Sequence, residues 1–197
     1  TGIRAITLDE ADELAWVDVS SGEDDVIIAT AQGKIARFNE KDVRAMGRDA
    51  AGVIGIRLAR QGDRVVSMSV VRPDADLLVL TETGYGKRVP LTEFRRKHRG
   101  GQGVIGIQAS ERNGAIIGAV QVFDGDEIML ISDKGTLVRT RVDEVSSQGR
   151  NTQGVRLIRL KEDEALAGVV RVAEPEDSTT ERPTVQGSVE ASGEAVV

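Results

Sequence analysis

Cysteine is absent from this 197-residue chain, and histidine, tryptophan and tyrosine occur once each. Without thiols the chain has no disulfide, thiolate metal site or cysteine nucleophile, which fits a reducing cytoplasm. The single histidine, His98, excludes a zinc site of histidine and cysteine and restricts any Ser-His-Asp mechanism to that residue. Because aromatic residues are scarce, we expect an aliphatic core and no aromatic carbohydrate platform.

Long hydrophobic runs are also missing. No stretch of about 18 apolar residues is present, and the start of the chain has no secretory signal pattern, so we expect neither membrane insertion nor export but a cytoplasmic location. The chain starts at Thr1, and residues 2–8 align with residues 52–58, the second half of a repeat. We therefore expect a piece of a longer protein.

A 51-residue repeat is the main positive feature of the sequence. Gly33, Gly84 and Gly135 are spaced by that interval. Apolar strings precede each glycine, at residues 26–30, 77–81 and 128–132, and Gly52, Gly103 and Gly154 repeat with the same period. Repeats of this length are typical of propeller blades, each too small to bury its own apolar face.

The repeat predicts an all-β fold with four strands in each unit. In the second unit we expect strands at residues 77–81, 87–90, 104–108 and 115–122, and no segment has a helical apolar stripe. The predicted divisions are 1–24 (second half of a truncated blade), 25–75, 76–125 and 126–175 (blades) and 176–197 (a disordered acidic tail).

Charge is distributed unevenly. The net charge is −6, but the residues from Ala173 onward contribute −5 of it, with six acids against one arginine. The repeats are therefore close to neutral. Within them, residues 86–102 have a local net charge of +5, which favours a polyanionic partner.

Two rows of arginines recur in register. Arg37, Arg88 and Arg139 form the first row, and Arg48, Arg99 and Arg150 form the second. Guanidinium groups repeated along a curved rim suit the regularly spaced phosphates of a nucleic-acid backbone. The alternative is that each arginine pairs with a nearby acid, such as Asp42, Glu93 or Glu144, which also recur in register, or lies on a solvated face.

The loop of residues 95–103 contains the densest basic cluster, with Arg95, Arg96, Lys97 and Arg99 next to glycines. Glycines let such a loop lie close to a phosphate backbone, although the same composition is compatible with a mobile connection between blades. Residues 101–106 also match G-x-G-x-x-G, but a basic loop precedes them and a strand-like run follows, so we expect no dinucleotide site.

The glycine and arginine motifs resemble those of a known family. The segments that carry the resemblance are residues 33–38, 43–47, 84–88, 111–114, 135–141 and 149–155. Together they resemble the C-terminal domain of bacterial DNA gyrase A, from the first residue to about Glu176. Topoisomerase IV has a related domain, and a protein-binding β-propeller is the alternative from another class.

The resemblance implies a β-pinwheel, which is propeller-like with strands exchanged between blades, and about three and a half of its six blades would be present. It implies binding and wrapping of duplex DNA, so that the parent ATP-dependent type II topoisomerase introduces negative supercoils. Residues 98–103 are similar to the family's basic glycine-rich box only in an R-G-G-x-G core, and we treat them as its repeat equivalent.

The resemblance also implies the partners and cofactors. The partners would be double-stranded DNA, gyrase B and the rest of gyrase A in a heterotetramer, in the bacterial cytoplasm at the nucleoid and without a membrane. ATP and magnesium would bind elsewhere in the parent enzyme, so we expect no cofactor, metal or catalytic residue in this chain. The predicted DNA-binding residues are Arg37, Arg48, Lys87, Arg88, Arg95, Arg96, Lys97, Arg99, Arg139 and Arg150.

Overall fold

The computed structural model describes residues 2–10, 12–58 and 60–172. In this part of the chain the only helical segments are three short 3-10 turns, 51 residues apart, and no helix is long and apolar enough to cross a membrane. The all-β prediction is therefore confirmed. The 3-10 turns are Glu40–Asp42, Leu91–Glu93 and Val142–Glu144, and the strands are β1 (Asp25–Thr30), β2 (Lys34–Asn39), β3 (Val65–Val70), β4 (Asp76–Thr81), β5 (Tyr85–Pro90), β6 (Val104–Ile105), β7 (Ile116–Val122), β8 (Glu127–Ser132), β9 (Leu137–Arg141), β10 (Val155–Arg156) and β11 (Leu166–Val172).

The strands form three antiparallel sheets, one for each repeat. The order is β3-β1-β2-β6 in the first sheet, β10-β5-β4-β7 in the second and β11-β8-β9 in the third. The first two sheets share one pattern, because β6 leaves its own unit to join the first sheet and β10 leaves its own unit to join the second, whereas the third sheet has three strands among the described residues. One repeat of the sequence therefore does not correspond to one sheet. The exchanged strands β6 and β10 form the outer edges of the first and second sheets.

The exchanged strands are short. We expected a strand over residues 104–108, but β6 contains only Val104 and Ile105, which pair with Ile35 and Lys34. Beyond them Gly106 donates its N–H to the Gly33 carbonyl oxygen at 2.9 Å, and the next side chain, Ile107, is buried. The chain thus turns from the outer edge into the core after two residues.

The core lies in two layers on either side of the second sheet. Leu77 and Val79 of β4 pack towards the first sheet, whereas Leu78 and Leu80 pack towards the third. Successive side chains of a strand point to opposite faces, so β4 is apolar at consecutive positions because both of its faces are covered. By contrast, buried and half-buried residues alternate along most of β1.

The described residues of the predicted truncated half blade contain no strand. Val17 and Val19 in this segment are 78% and 89% exposed. In the first unit, Val53 and Ile54 match the positions of β6 but are also exposed and form no strand, and the described residues before β1 contain no sheet that could receive them. The predicted acidic tail at 176–197 lies outside the described residues.

Glycine is required at the point where the basic loop meets the first sheet. Gly103 has a φ of 69°, a backbone conformation that other residues rarely adopt. A Cβ atom at this position would lie 2.6 Å from the carbonyl oxygen of Ile35. Gly154 has the same relation, also at 2.6 Å, to the carbonyl oxygen of Gly86. Gly103 and Gly154 thus allow each exchanged strand to approach its host sheet.

Candidate nucleic-acid interface

The loop of residues 95–103 belongs to the second unit but lies on the first sheet. Lys97 donates its backbone N–H to the Arg37 carbonyl oxygen at 2.9 Å, and Gly100 donates to the Gly55 carbonyl oxygen at 2.7 Å. The N–H of Arg57 donates to the Gly101 carbonyl oxygen at 2.8 Å. These backbone bonds fix the loop at both ends of its basic run, so its side chains project from a defined surface.

Two basic side chains of this loop have no protein partner among the described residues. Arg95 and Lys97 are exposed, and their side chains make no hydrogen bond or ion pair with any residue that the structure describes. His98, with a side chain that is 98% exposed, lies 3.3 Å from Asp42 through Nδ1. Because uncompensated charge on a fixed loop attracts anions, Arg95 and Lys97 are the part of the loop best suited to phosphate contacts.

The other two basic side chains of the loop also have structural roles. Arg96 Nε lies 2.8 Å from Asp25 Oδ1, although the Arg96 side chain is 60% exposed. Arg99 donates through Nε to the Asp42 carbonyl oxygen at 2.8 Å and through Nη1 to the Ile54 carbonyl oxygen at 3.1 Å. Part of the charge predicted for DNA therefore holds the loop to the first sheet.

The first arginine row forms ion pairs inside its own sheets. Each arginine faces an acid at the start of the adjacent strand, twelve residues earlier, so the acids recur with the same period as the arginines. The intrablade alternative thus describes this row, but with acids other than Asp42, Glu93 and Glu144. The pairs are Arg37 with Asp25 at 2.8 Å, Arg88 with Asp76 at 3.8 Å and also with Asp124 at 2.6 Å, and Arg139 with Glu127.

Burial distinguishes the members of this row. The side chain of Arg37 is 22% exposed and also donates to the Leu91 carbonyl oxygen at 2.9 Å, whereas the side chain of Arg139 is 63% exposed. Burial of Asp25 raises the pKa of its carboxyl group, but hydrogen bonds from Asn39, Arg37 and Arg96 outweigh this effect and lower the pKa. Asp25 therefore remains ionised as the centre of a buried network.

The second arginine row connects neighbouring units. Arg150 donates through Nη1 to the carbonyl oxygen of Ile105 at 3.3 Å, which repeats the bond between Arg99 and Ile54 one unit later. In both cases the acceptor lies 45 residues earlier in the chain. Arg48 is exposed and makes no hydrogen bond or ion pair with the described residues, so it remains available for a ligand.

Lys87 does not belong to the surface. Its side chain is fully buried, and Nζ donates to the carbonyl oxygens of Gly149, Arg150 and Thr152 and to the Thr152 hydroxyl group, at 2.7–3.2 Å. Desolvation, with the nearby charge of Arg150, lowers the pKa of Lys87 to about 8. A phosphate contact needs an accessible ammonium group, so we correct the prediction and remove Lys87 from the DNA surface.

Comparison of the three repeat units indicates that the position of Lys87 is buried. The residues that match Lys87 in the other two units are Ala36 and Val138. An apolar residue at the same strand position in both neighbours indicates an inward-facing site. Lys87 occupies that site with a charge because the loop of residues 149–152 presents carbonyl groups to it.

A second basic cluster has no counterpart among the residues predicted from sequence. Arg112 and Arg156 both lie over the Tyr85 ring, with guanidinium carbons 4.5 and 5.2 Å from the ring centroid. These arginines do not recur with the repeat and lie 44 residues apart, so no pattern brings them together. The exchange of β10 into the second sheet does so.

Other chemistry is not supported by the geometry. The G-x-G-x-x-G match at residues 101–106 contains the short strand β6 and is not followed by a helix, in contrast to a dinucleotide site. Among the described residues no three acidic or histidine side chains converge as a metal site. The basic loops at the sheet edges are therefore the best candidate site.

Repeated antiparallel sheets, of which the first two receive their outer strand from the next unit, define the propeller-like β-pinwheel class. Within it, the family model described as "DNA gyrase C-terminal domain, beta-propeller" matches residues 1–21, 24–72, 75–122 and 126–173. The chain belongs to this family.

Curated relatives support the assignment. DNA gyrase A of Escherichia coli (strain K12) is 54% identical over 187 residues, covering 95% of this chain and 21% of the relative. DNA gyrase A of Salmonella typhimurium is 52% identical over 195 residues, covering 99% of this chain and 22% of the relative. The chain thus spans about a fifth of the length of these proteins.

Solved structures match the fold. A DNA gyrase A C-terminal domain aligns with a TM-score of 0.79 at 29% identity, covering 87% of this chain and 58% of that one. The C-terminal domain of DNA topoisomerase IV aligns with a TM-score of 0.80 at 28% identity, covering 85% and 52%. The fold is common to both kinds of domain, and the higher identity to the curated gyrase relatives favours the gyrase type.

Proposed function

We propose that this chain binds duplex DNA along the outer edges of its sheets and bends it, as a DNA-wrapping module of a bacterial type II topoisomerase. The observation that carries the proposal is the fixed basic loop on the first sheet, in which Arg95 and Lys97 are exposed and have no protein partner among the described residues. Family membership agrees with it.

The form of the site favours backbone binding over base recognition. Its donors are long cationic side chains and loop amides, and Phe94 beside them is buried, so it offers no surface on which bases could stack. The equivalent rim positions Arg48 and Arg150 lie one repeat on either side of Arg99. Contacts repeated along a curved array of sheets would hold a bent duplex, whose curvature is the wrap.

The activity of the whole enzyme is part of the proposal. In the parent protein this module would act with the rest of gyrase A and with gyrase B, and ATP-driven strand passage through the wrapped DNA would introduce negative supercoils. Cleavage, ATP hydrolysis and magnesium binding are assigned to those other parts. The proposed location is the bacterial cytoplasm at the nucleoid.

Fluorescence anisotropy on two unrelated duplexes of about 40 base pairs, across a salt series, tests this function. We expect log K to fall linearly with log salt concentration and the two duplexes to bind alike. Binding without salt dependence would exclude phosphate contacts and favour the protein-binding propeller. Wrapping is tested by relaxing a plasmid with a separate topoisomerase in the presence of the chain. A wrap leaves a change in the linking number of the plasmid after both proteins are removed.

A further inference from the structure

The cluster around Tyr85 lies at the outer edge of the second sheet, apart from the loop of residues 95–103. Tyr85 is the first residue of β5 and pairs directly with Arg156 on the exchanged strand β10. Arg156 Nη2 donates to the phenol oxygen of Tyr85 at 2.8 Å, and its guanidinium group lies over one side of the ring. Arg112, from the turn before β7, stacks on the same ring at 4.5 Å.

No acid among the described residues neutralises this cluster. Nine ion pairs join described residues, and none of them includes Arg112 or Arg156. The polar partner of Arg112 is the side-chain oxygen of Gln153, at 3.4 Å. Arg159 lines the same cleft and is exposed. Three like charges thus face one opening, where an anion would relieve their mutual repulsion.

The cluster is not a requirement of the repeat. The residues at the matching positions one unit earlier are Lys34, Gln61 and Ile105, and the first sheet forms the same strand exchange with them. The fold of a blade therefore does not depend on two arginines around a tyrosine. Arg112 and Arg156 are both exposed, whereas the Tyr85 ring beneath them is buried, so the ring holds the guanidinium planes at the surface.

The donors suit a phosphate group. Each guanidinium group has a planar set of N–H donors that can bind two phosphate oxygens, and stacking on a ring leaves its edge free to do so. The Tyr85 hydroxyl group accepts from Arg156 and retains its own O–H as a further donor. The position on an outer-edge strand also makes the site accessible to a long polymer.

We propose that Tyr85, Arg112 and Arg156 form a phosphate-binding site that holds one phosphodiester group of duplex DNA at the edge of the second sheet. The proposal rests on the DNA-binding function proposed above and assigns it a second contact point. The pKa of Tyr85 provides a probe, because the guanidinium groups of Arg112 and Arg156 beside the phenol lower it.

The test combines DNA affinity with the titration of the single tyrosine in the chain. Replacing both arginines with glutamine (Arg112→Gln with Arg156→Gln) is expected to reduce the salt slope of log K by about 0.9, the value for the one phosphate contact that the site makes. The variant Arg112→Lys with Arg156→Lys keeps both positive charges and should keep most of the salt slope of log K. Arg141→Gln is the matched control, because Arg141 is exposed but already paired with Asp143 at 3.0 Å.

Absorbance of the tyrosinate form gives the second result. In the wild-type chain, bound DNA should raise the pKa of Tyr85, because a phosphate would neutralise the arginines that favour the phenolate. Inorganic phosphate at equal ionic strength should have a much smaller effect. A shift with inorganic phosphate but not with DNA would identify a site for the free ion and overturn the proposal.

The two proposals fail in different ways. If the wild-type chain shows steep salt dependence while the double glutamine variant keeps the full slope and DNA leaves Tyr85 unchanged, the cluster only packs and this inference is wrong, while DNA binding stands. If the wild-type chain shows no salt-dependent DNA binding, both proposals are wrong.

Discussion

Arg37 Nε lies 2.8 Å from Asp25 Oδ2, and both side chains are largely enclosed by the first sheet and the loop above it. The same spacing of arginine and acid recurs in the second and third sheets. An arginine row that suits a polyanion in sequence is therefore, in structure, a row of ion pairs within the sheets. The row contributes to stability where it is buried, and the proposed DNA contacts are assigned chiefly to other residues.

The first prediction compares the two ends of this row. Arg37→Gln should lower the free energy of unfolding by about 2 kcal/mol, because it removes charged hydrogen bonds from the buried Asp25 carboxylate. Arg139→Gln should lower it by less than about 0.5 kcal/mol, since its pair with Glu127 is exposed. Urea unfolding of both variants measures the difference, and equal effects would contradict the assigned roles.

The second prediction concerns pH and Lys87. Because the folded-state pKa of about 8 lies below the ordinary 10.5, the unfolded chain binds more protons between these values. The titration of Lys87 should therefore increase the free energy of unfolding as pH rises from about 8 towards 10.5, by at most about 1 kcal/mol per pH unit. The measurement is unfolding of the wild type and of Lys87→Met across this range.

Lys87→Met lacks the titrating amine, so the difference between the two stability curves isolates Lys87 from other groups. A difference that does not change with pH would show that the buried amine does not titrate in this window.

The third prediction concerns the close approach at Gly103. A Cβ there would meet the Ile35 carbonyl oxygen and the residue would keep a positive φ, so Gly103→Ala should destabilise the chain by about 2 kcal/mol. Gly47 has open space around the position of a Cβ, and Gly47→Ala should change stability by less than about 0.5 kcal/mol. Thermal unfolding compares them, and an unchanged midpoint for Gly103→Ala would contradict this packing.

The fourth prediction depends on the sequence alone. Six acids follow Ala173, and deletion of the residues after Glu176 removes four of them together with one arginine. We expect these acids to compete with DNA for the basic loops, so the deletion should strengthen DNA binding at low salt and have little effect at high salt. Anisotropy of the shortened and full chains decides, and equal affinity at low salt would exclude competition.

Local patterns predicted the fold well. The periodic glycines and apolar strings located the hairpins, because turn chemistry and strand alternation are encoded within a few residues. The exchange of β6 and β10 depends on contacts between units, and only the resemblance to a known family indicated it. The strand predicted over residues 104–108 was too long, because the apolar residues of this segment do not show that the chain turns inward at Gly106.

The site was harder to predict than the fold. A count of basic residues gives the charge of a loop, but it does not show which charges are already paired, as Arg96 is with Asp25. Such a count treats Lys87 and Arg95 alike, yet the Lys87 side chain is fully buried and the Arg95 side chain is exposed. Partners distant in sequence decide these cases, as they do for the cluster around Tyr85.

The most direct test of the account is the salt dependence of DNA binding when only the unpaired charges of the loop are removed. The variant Arg95→Ala with Lys97→Ala should weaken binding to every duplex alike and reduce the salt slope of log K by about 2. The control, Arg60→Ala with Arg64→Ala, removes two exposed basic side chains from the turn before β3, at the inner edge of the first sheet, and should keep the wild-type slope. Wild-type affinity and slope in the loop variant would contradict the account.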